Sequence, residues 1–285
     1  MDPLQSSMPL SLGWRTDLIF ARFDGEVATR GDHLVVRTPN NPSFWWGNFL
    51  LFDHAPGEGD TAGWLTRFDA EITKQQPESR HITFGFDSAE PIPLPPDFAR
   101  AGFRLFSSTV LTMGRAQLRA QRRALPDGFR IDTLRLPAQA AEAVELQVVS
   151  DAGESEAEAD YRLFRQRQMS RYGAMECAGM GHWFAVFARG DDGAERMVAG
   201  CGLFSMPGEA LGRFQHVETH PAWRRRGLCS ALIHAVCRHG FERMGLETLV
   251  IVADPDDIAI GLYESLGFER GASTWHLEKA PPRSA

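Results

Sequence analysis

Seven residues late in the chain have the make-up of an anion seat: Arg224-Arg225-Arg226-Gly227-Leu228-Cys229-Ser230. Three guanidinium groups precede a glycine, which lets the backbone turn tightly and come close to a ligand. From Leu228 onward, Leu228, Leu232, Ala235 and Val236 follow a helical period. A helix start leaves backbone N–H groups unpaired and carries partial positive charge. A phosphate or pyrophosphate is what such a seat would hold. The alternative is an ordinary solvated basic turn. Two other phosphate loops are excluded, because the chain has no G-x-x-x-x-G-K-[ST] and this turn has no G-x-G-x-x-G.

The elements around the turn must position it. Gln215 to Thr219 reads as a short strand that ends before Pro221, which cannot donate to a ladder. The unit is therefore strand, basic turn, helix. Upstream, Ile131 to Leu136 reads as a strand, and Ala138 to Val149 and Glu156 to Tyr172 as helices. His182 to Ala188 and Arg196 to Met206 read as adjacent strands joined by a turn at Asp191-Asp192-Gly193. Thr248 to Val252 is a continuous apolar run, as in a buried strand.

The first half reads as Trp14 to Val27 helix, His33 to Thr38 strand, Phe44 to Phe52 buried strand and Gly63 to Ile72 helix. His81 to Phe86 then reads as a strand, Asp97 to Ala101 as a short helix and Phe103 to Met113 as a strand. Gly114 to Phe129 is basic, could support a helix, and reads as the connection between domains. This order parallels the second half. Where the basic turn would fall, the first half has Pro56-Gly57-Glu58-Gly59-Asp60, whose acids would repel a pyrophosphate. The alternative is an unrelated α/β domain that shares the order.

The 285 residues suffice for one large or two ordinary domains. With 43% hydrophobic and 24% charged residues the chain is globular in composition. Its formal net charge of −7 makes the arginine triplet a local feature and argues against a nucleic-acid partner. The cysteines, Cys177, Cys201, Cys229 and Cys237, form no C-x-x-C pair and no zinc spacing, so no metal is expected and free thiols suit a reducing compartment. No apolar run reaches membrane-spanning length and the start of the chain lacks a signal pattern, so no membrane contact and a cytoplasmic location are expected.

The fixed points Arg224, Gly227 and Cys229 resemble the Q/R-x-x-G-x-G/A pyrophosphate loop of the GNAT superfamily of acyl-CoA N-acyltransferases. Asp256-Asp257-Ile258-Ala259-Ile260-Gly261-Leu262-Tyr263-Glu264-Ser265-Leu266-Gly267-Phe268 resembles a second pattern of that superfamily, N-x-x-A-x-x-L-Y-x-x-L-G-F. Its first position departs, with Asp256 for asparagine, and Cys229 departs from Gly or Ala. The resemblance covers roughly residues 131–279. It implies an α/β fold, α+β in detail, with a mixed sheet and flanking helices. The chain would hold two GNAT-like domains in tandem: a degenerate one at 1–125 without the cofactor loop, and a catalytic one at 126–285.

The resemblance also implies roles. The backbones of Val217 and Thr219 would pair with the pantetheine arm, and Arg224, Arg225, Arg226, Gly227, Leu228, Cys229 and Ser230 would hold the pyrophosphate. Tyr263 would assist the departing CoA thiolate, since a thiol has a free pKa of about 8.5 and a phenol about 10. A base must take the amine proton. Glu218 is the candidate, with His216 on the same strand face, opposite Val217 and Thr219. Each of these residues could instead be structural. The implied activity is transfer of an acetyl group from acetyl-CoA to a small amine by direct attack. The alternative is a non-catalytic acyl-CoA sensor. The acceptor is not named by these residues, and a homodimer is left open.

Overall fold

The chain's own contacts divide it inside a strand, between Val110 and Leu111. The computed structural model describes residues 10–121, 123–151, 158–190 and 193–281. One compact unit comprises Met1–Val110, Ala253–Pro255 and Gly271–Ala285; the other comprises Leu111–Val252 and Asp256–Arg270. This differs from the expected boundary at 125/126. The C-terminal strand belongs to the first unit because its partner is there. Residues Thr274 to Lys279 pair antiparallel with Asp87 to Ile82, and Leu277 is fully buried in that unit's core.

In the first unit the described elements are α1 (Leu12–Asp24), β1 (Glu26–Arg30), β2 (His33–Arg37), β3 (Phe49–Phe52) and α2 (Asp60–Phe68). They continue with β4 (Ile82–Asp87), α3 (Pro96–Arg100), the first part of β5 (Arg104–Gly114) and most of β11 (Glu269–Lys279). The strand order β1-β2-β3-β4-β11 is antiparallel except for β3 and β4. Side chains alternate across the strands. Val35, Leu50 and Phe52 therefore pack with Trp64 and Phe68 of α2, while Leu34, Val36, Phe49 and Leu51 pack with Trp14 and Leu18 of α1.

Two expectations for this half are corrected. Phe44 to Phe52 is not one strand, because Trp45–Gly47 forms a 3-10 turn. The buried Asn48 side chain holds that turn: its Oδ1 accepts from Thr38 N at 2.8 Å and its Nδ2 donates to Phe44 O at 2.7 Å. Gly114 to Phe129 is not a helix either. Gln117 Oε1 accepts from Gly114 N at 2.6 Å and stops the chain at a single 3-10 turn, Arg115–Gln117. Arg122 lies outside the described residues.

The second unit runs from the end of β5 through β6 (Phe129–Thr133), α4 (Ala140–Ser150), α5 (Glu158–Cys177) and β7 (Gly181–Arg189). β8 (Glu195–Phe204), β9 (Leu211–Thr219), α6 (Leu228–Glu242), β10 (Thr248–Ala253) and α7 (Ala259–Leu266) follow. Its strand order is β10-β9-β8-β7-β6, with β10 parallel to β9 and the others antiparallel. Asp191 and Asp192 of the expected hairpin turn, and the start of the helix expected from Glu156, lie outside the described residues. Helix α7 stops at Gly267, with φ 114°, where an added Cβ would meet Gln117 O at 2.0 Å. Glycine alone fits there.

Candidate active site

The basic turn is built by β9, a 3-10 turn and α6. After Thr219, the turn Pro221–Trp223 begins under His220, whose Nδ1 accepts from Ala222 N at 3.2 Å. Arg224 Nε donates to Thr219 O at 3.1 Å and closes the loop. Arg225 (φ 60°) and Gly227 (φ 79°) are both left-handed, and α6 begins at the buried Leu228. Ala231 N is taken by Gly227 O at 3.1 Å, and the helical N–H groups ahead of it have no partner a turn earlier in the helix. An added Cβ at Gly227 would meet nothing within 4 Å. The space over the helix start is therefore open.

Strand β9 carries a bulge. Gln215 pairs with Gly202 and Glu218 with Gly200, so His216 and Val217 together oppose Cys201. His216 absorbs the extra residue with φ 44°. His216 still meets Arg165 and Glu218 still meets Gln147, on the side of α4 and α5, while the Thr219 side chain meets Cys229 of α6. All four residues from His216 to Thr219 line one cavity. On the other edge of β9 the parallel ladder to β10 runs only from Leu211 to Arg213. Beyond it the β9 backbone is not paired to β10, which is the edge an extended ligand could add to.

That cavity measures about 890 Å³, within the range of small-molecule sites. Arg224, Arg225 and Gly227 to Ser230 line one part of it. Tyr263 of α7 lines another part, and Gln147, Asp151, Tyr161 and Arg165 of the α4–α5 region a third. Arg226 does not line it; its guanidinium lies over the Trp223 ring at 4.7 Å. Asp256 does not line it either. Its neighbour Asp257 does, and Asp257 Oδ1 accepts from Ala259 N at 2.8 Å to start α7.

Burial sets the proton chemistry. It pushes the Glu218 carboxyl up to about 8, against the opposing charge of Arg165 and a hydrogen bond from Gln147. Glu218 Oε1 is buried without a partner. The group can therefore exchange a proton near neutral pH. His216 is pushed well down by burial and by the charges of Arg165 and Arg213. Its ring accepts from Arg165 Nη1, 3.0 Å from Nδ1 and closer still to Nε2. A proton taken there would sit against a guanidinium, so of the two groups Glu218 is the one placed to exchange a proton near neutral pH. Burial holds the Cys229 thiol up at about 12, with Asp257 adding to it, so it is no nucleophile. Tyr263 is 3% exposed, and burial, followed by Cys229 and Asp257, raises its phenol. It stays protonated and can donate a hydrogen bond.

Sequence reasoning overlooked Arg165. Its only local signal is Tyr161 one helical turn earlier, whose hydroxyl accepts from Arg165 Nη2 at 2.6 Å.

Comparisons with known proteins bear on the fold. A conserved protein of unknown function from Staphylococcus epidermidis aligns over 91% of this chain and 96% of its own, with a TM-score of 0.69 at 16% identity. A GCN5-related N-acetyltransferase from Kribbella flavida aligns over 95% and 98%, with a TM-score of 0.61 at 17% identity. A tandem GNAT protein from the clavulanic acid biosynthesis pathway aligns over 83% and 76%, with a TM-score of 0.53 at 14% identity. At such identities these likenesses define the fold: two GNAT-like domains in tandem. No curated protein matches the chain. The profile of the Acetyltransferase (GNAT) family matches residues 145–268, the stretch that holds all of the cavity lining. Residues 145–268 thus match the GNAT family, and the fold is that of GNAT proteins.

Proposed function

We propose that the chain transfers an acetyl group from acetyl-CoA to the amine of a small acceptor by direct attack. The observation that carries this is one cavity joining a basic helix start, an unpaired strand edge, a buried carboxyl and a buried phenol. The cofactor fits the residues present. Its pyrophosphate would lie at the start of α6, held by the backbone of Gly227 to Ser230 and by the charges of Arg224 and Arg225. Its pantetheine arm would run along Val217 and Thr219, where the β9–β10 ladder has ended. Bound there, acetyl-CoA supplies the thioester carbonyl that the amine attacks.

The residues divide the remaining work. Glu218, ionised, takes a proton from the attacking amine. Tyr263 donates a hydrogen bond to the sulfur as charge collects on it; its raised pKa makes full proton transfer to a thiolate uphill. In this reading the protein is cytoplasmic and works without a metal or a nucleic-acid partner. Among the described residues no group of His, Cys, Asp and Glu could hold a metal ion, and no helix is long and apolar enough to cross a membrane.

Thiol release from acetyl-CoA, followed with a panel of primary amines, tests the reading. Release that depends on the amine, with acetylated product detected by mass, is the expected result. Acetyl-CoA binding without release would favour a binding module over an enzyme.

A further inference from the structure

Arg165 sits on α5 in the wall of the cavity, and all of its acceptors are neutral. Nη1 donates to Gln168 Oε1 at 2.9 Å and to the His216 ring, and Nη2 to the Tyr161 hydroxyl. The guanidinium lies 4.7 Å from the Tyr161 ring centroid and 4.9 Å from that of Phe164. Nε is buried with no hydrogen-bond partner. Among the described residues no carboxylate comes within the 4.0 Å of an ion pair with it. Elsewhere in this unit arginines do find carboxylates: Arg162 pairs with Glu145, Arg130 with Glu195 and Arg270 with Glu264.

A half-buried cation among neutral acceptors is costly unless an anion completes it. The guanidinium fork matches a carboxylate, and the two rings and three acceptors fix its plane beforehand. The contacts of Arg165 are to the β9 bulge and to its own helix, whereas the phosphate seat lies at the start of α6. The same cavity also carries the carboxyl groups of Asp151 and Glu218. The cavity thus offers both a positive charge and carboxyl groups. A polyamine would set a second cation against Arg165, and a simple alkylamine would leave it uncompensated.

We propose that Arg165 selects the acceptor: the amine acetylated here belongs to a molecule that also carries a carboxylate, bound by Arg165 while the amine faces Glu218. An amino acid is the simplest member of that class. The proposal rests on the acetyl-transfer reading above.

The test uses matched pairs. Thiol release from acetyl-CoA is measured with α- and ω-amino acids and with their carboxamides, for the full chain and for Arg165→Gln and Arg165→Lys, each checked by its melting curve. In the wild type the acids should exceed their amides in kcat/KM by about 10- to 100-fold, the worth of a hydrogen bond to a charge, and mainly through KM. Arg165→Gln should erase that preference by raising KM for acids far more than for amides, on top of any change in kcat that acids and amides share through the lost charge near Glu218, and Arg165→Lys should restore part of it. A structural role would instead change acids and amides by the same factor and leave their kcat/KM ratio at the wild-type value. Amides turned over as well as acids by the wild type would overturn the proposal and leave acetyl transfer standing. If no amine releases thiol, the acetyl-transfer reading falls instead. The carboxylate claim is then decided by calorimetric binding of N-acetyl amino acids against N-acetyl amino-acid amides in the presence of CoA, and equal or absent binding overturns it.

Discussion

Glu218→Gln tests the site through two independent readouts. Burial raises this carboxyl from 4.5 to about 8. The folded protein therefore keeps a proton that the unfolded chain releases once the pH exceeds its own pKa. Stability should fall as pH rises from about 4.5 to about 8 and level off above that. At 1.36 kcal/mol per unit, the shift caps the effect at about 5 kcal/mol. Glutamine keeps the shape and cannot ionise. The difference in unfolding free energy between variant and wild type should thus grow in the variant's favour from pH 5 to pH 8, with the other titrating groups cancelling. Denaturant melts at several pH values measure it. The rate should move the opposite way. As the base, Glu218 works ionised, so kcat/KM should rise with pH through an apparent pKa near 8, and Glu218→Gln should lose about 10²–10⁴-fold. The amine's own ionisation limb should persist in the variant. Parallel stability curves would refute the buried-carboxyl argument, and an unchanged rate profile would remove Glu218 from catalysis.

Three further outcomes are expected. Tyr263→Phe removes one oxygen from a buried ring, so acetyl-CoA affinity should hold while turnover falls about 10²-fold or more; equal turnover by the two proteins at a temperature where both are folded would assign Tyr263 to packing. Leu277→Ala, on β11, should destabilise the first unit by about 2–5 kcal/mol in thermal or denaturant melts, because Leu277 is fully buried in that unit's core; a loss below about 1 kcal/mol would contradict the assignment of β11 to it. Gly267→Ala should cost several kcal/mol, since its Cβ would strike Gln117 O and its φ is left-handed; near-wild-type stability would contradict that close approach.

What could be read from the sequence was what is local. Arg224 to Ser230 and Tyr263 lie in contiguous patterns whose turn, cap and helical period are set by neighbouring residues, and they meet in one cavity. The His216 bulge was not readable, because it arises from the register of β9 against β8 and no short pattern announces it. Arg165 was hidden for a different reason: a basic residue on an amphipathic helix looks the same whether it faces solvent or a cavity. The aromatic run at Phe44 to Phe52 misled because its hydrophobicity outweighed one polar residue, Asn48, whose buried hydrogen bonds cut the strand short. The place of β11 in the first unit depends on pairing with β4, nearly two hundred residues away in sequence, and no local propensity carries that information.

Calorimetric titration of acetyl-CoA into the wild type, Gly227→Ala and Gly227→Trp tests the central claim most directly. Both variants place a side chain at φ 79°, a strain of about 1–2 kcal/mol that they share. The added Cβ meets nothing within 4 Å in the free protein, so both should fold. Only tryptophan fills the open space over the start of α6. The account predicts binding by the wild type, weakened binding at most in Gly227→Ala, and loss of binding in a folded Gly227→Trp. Equal affinity of Gly227→Trp and wild type for acetyl-CoA would contradict it.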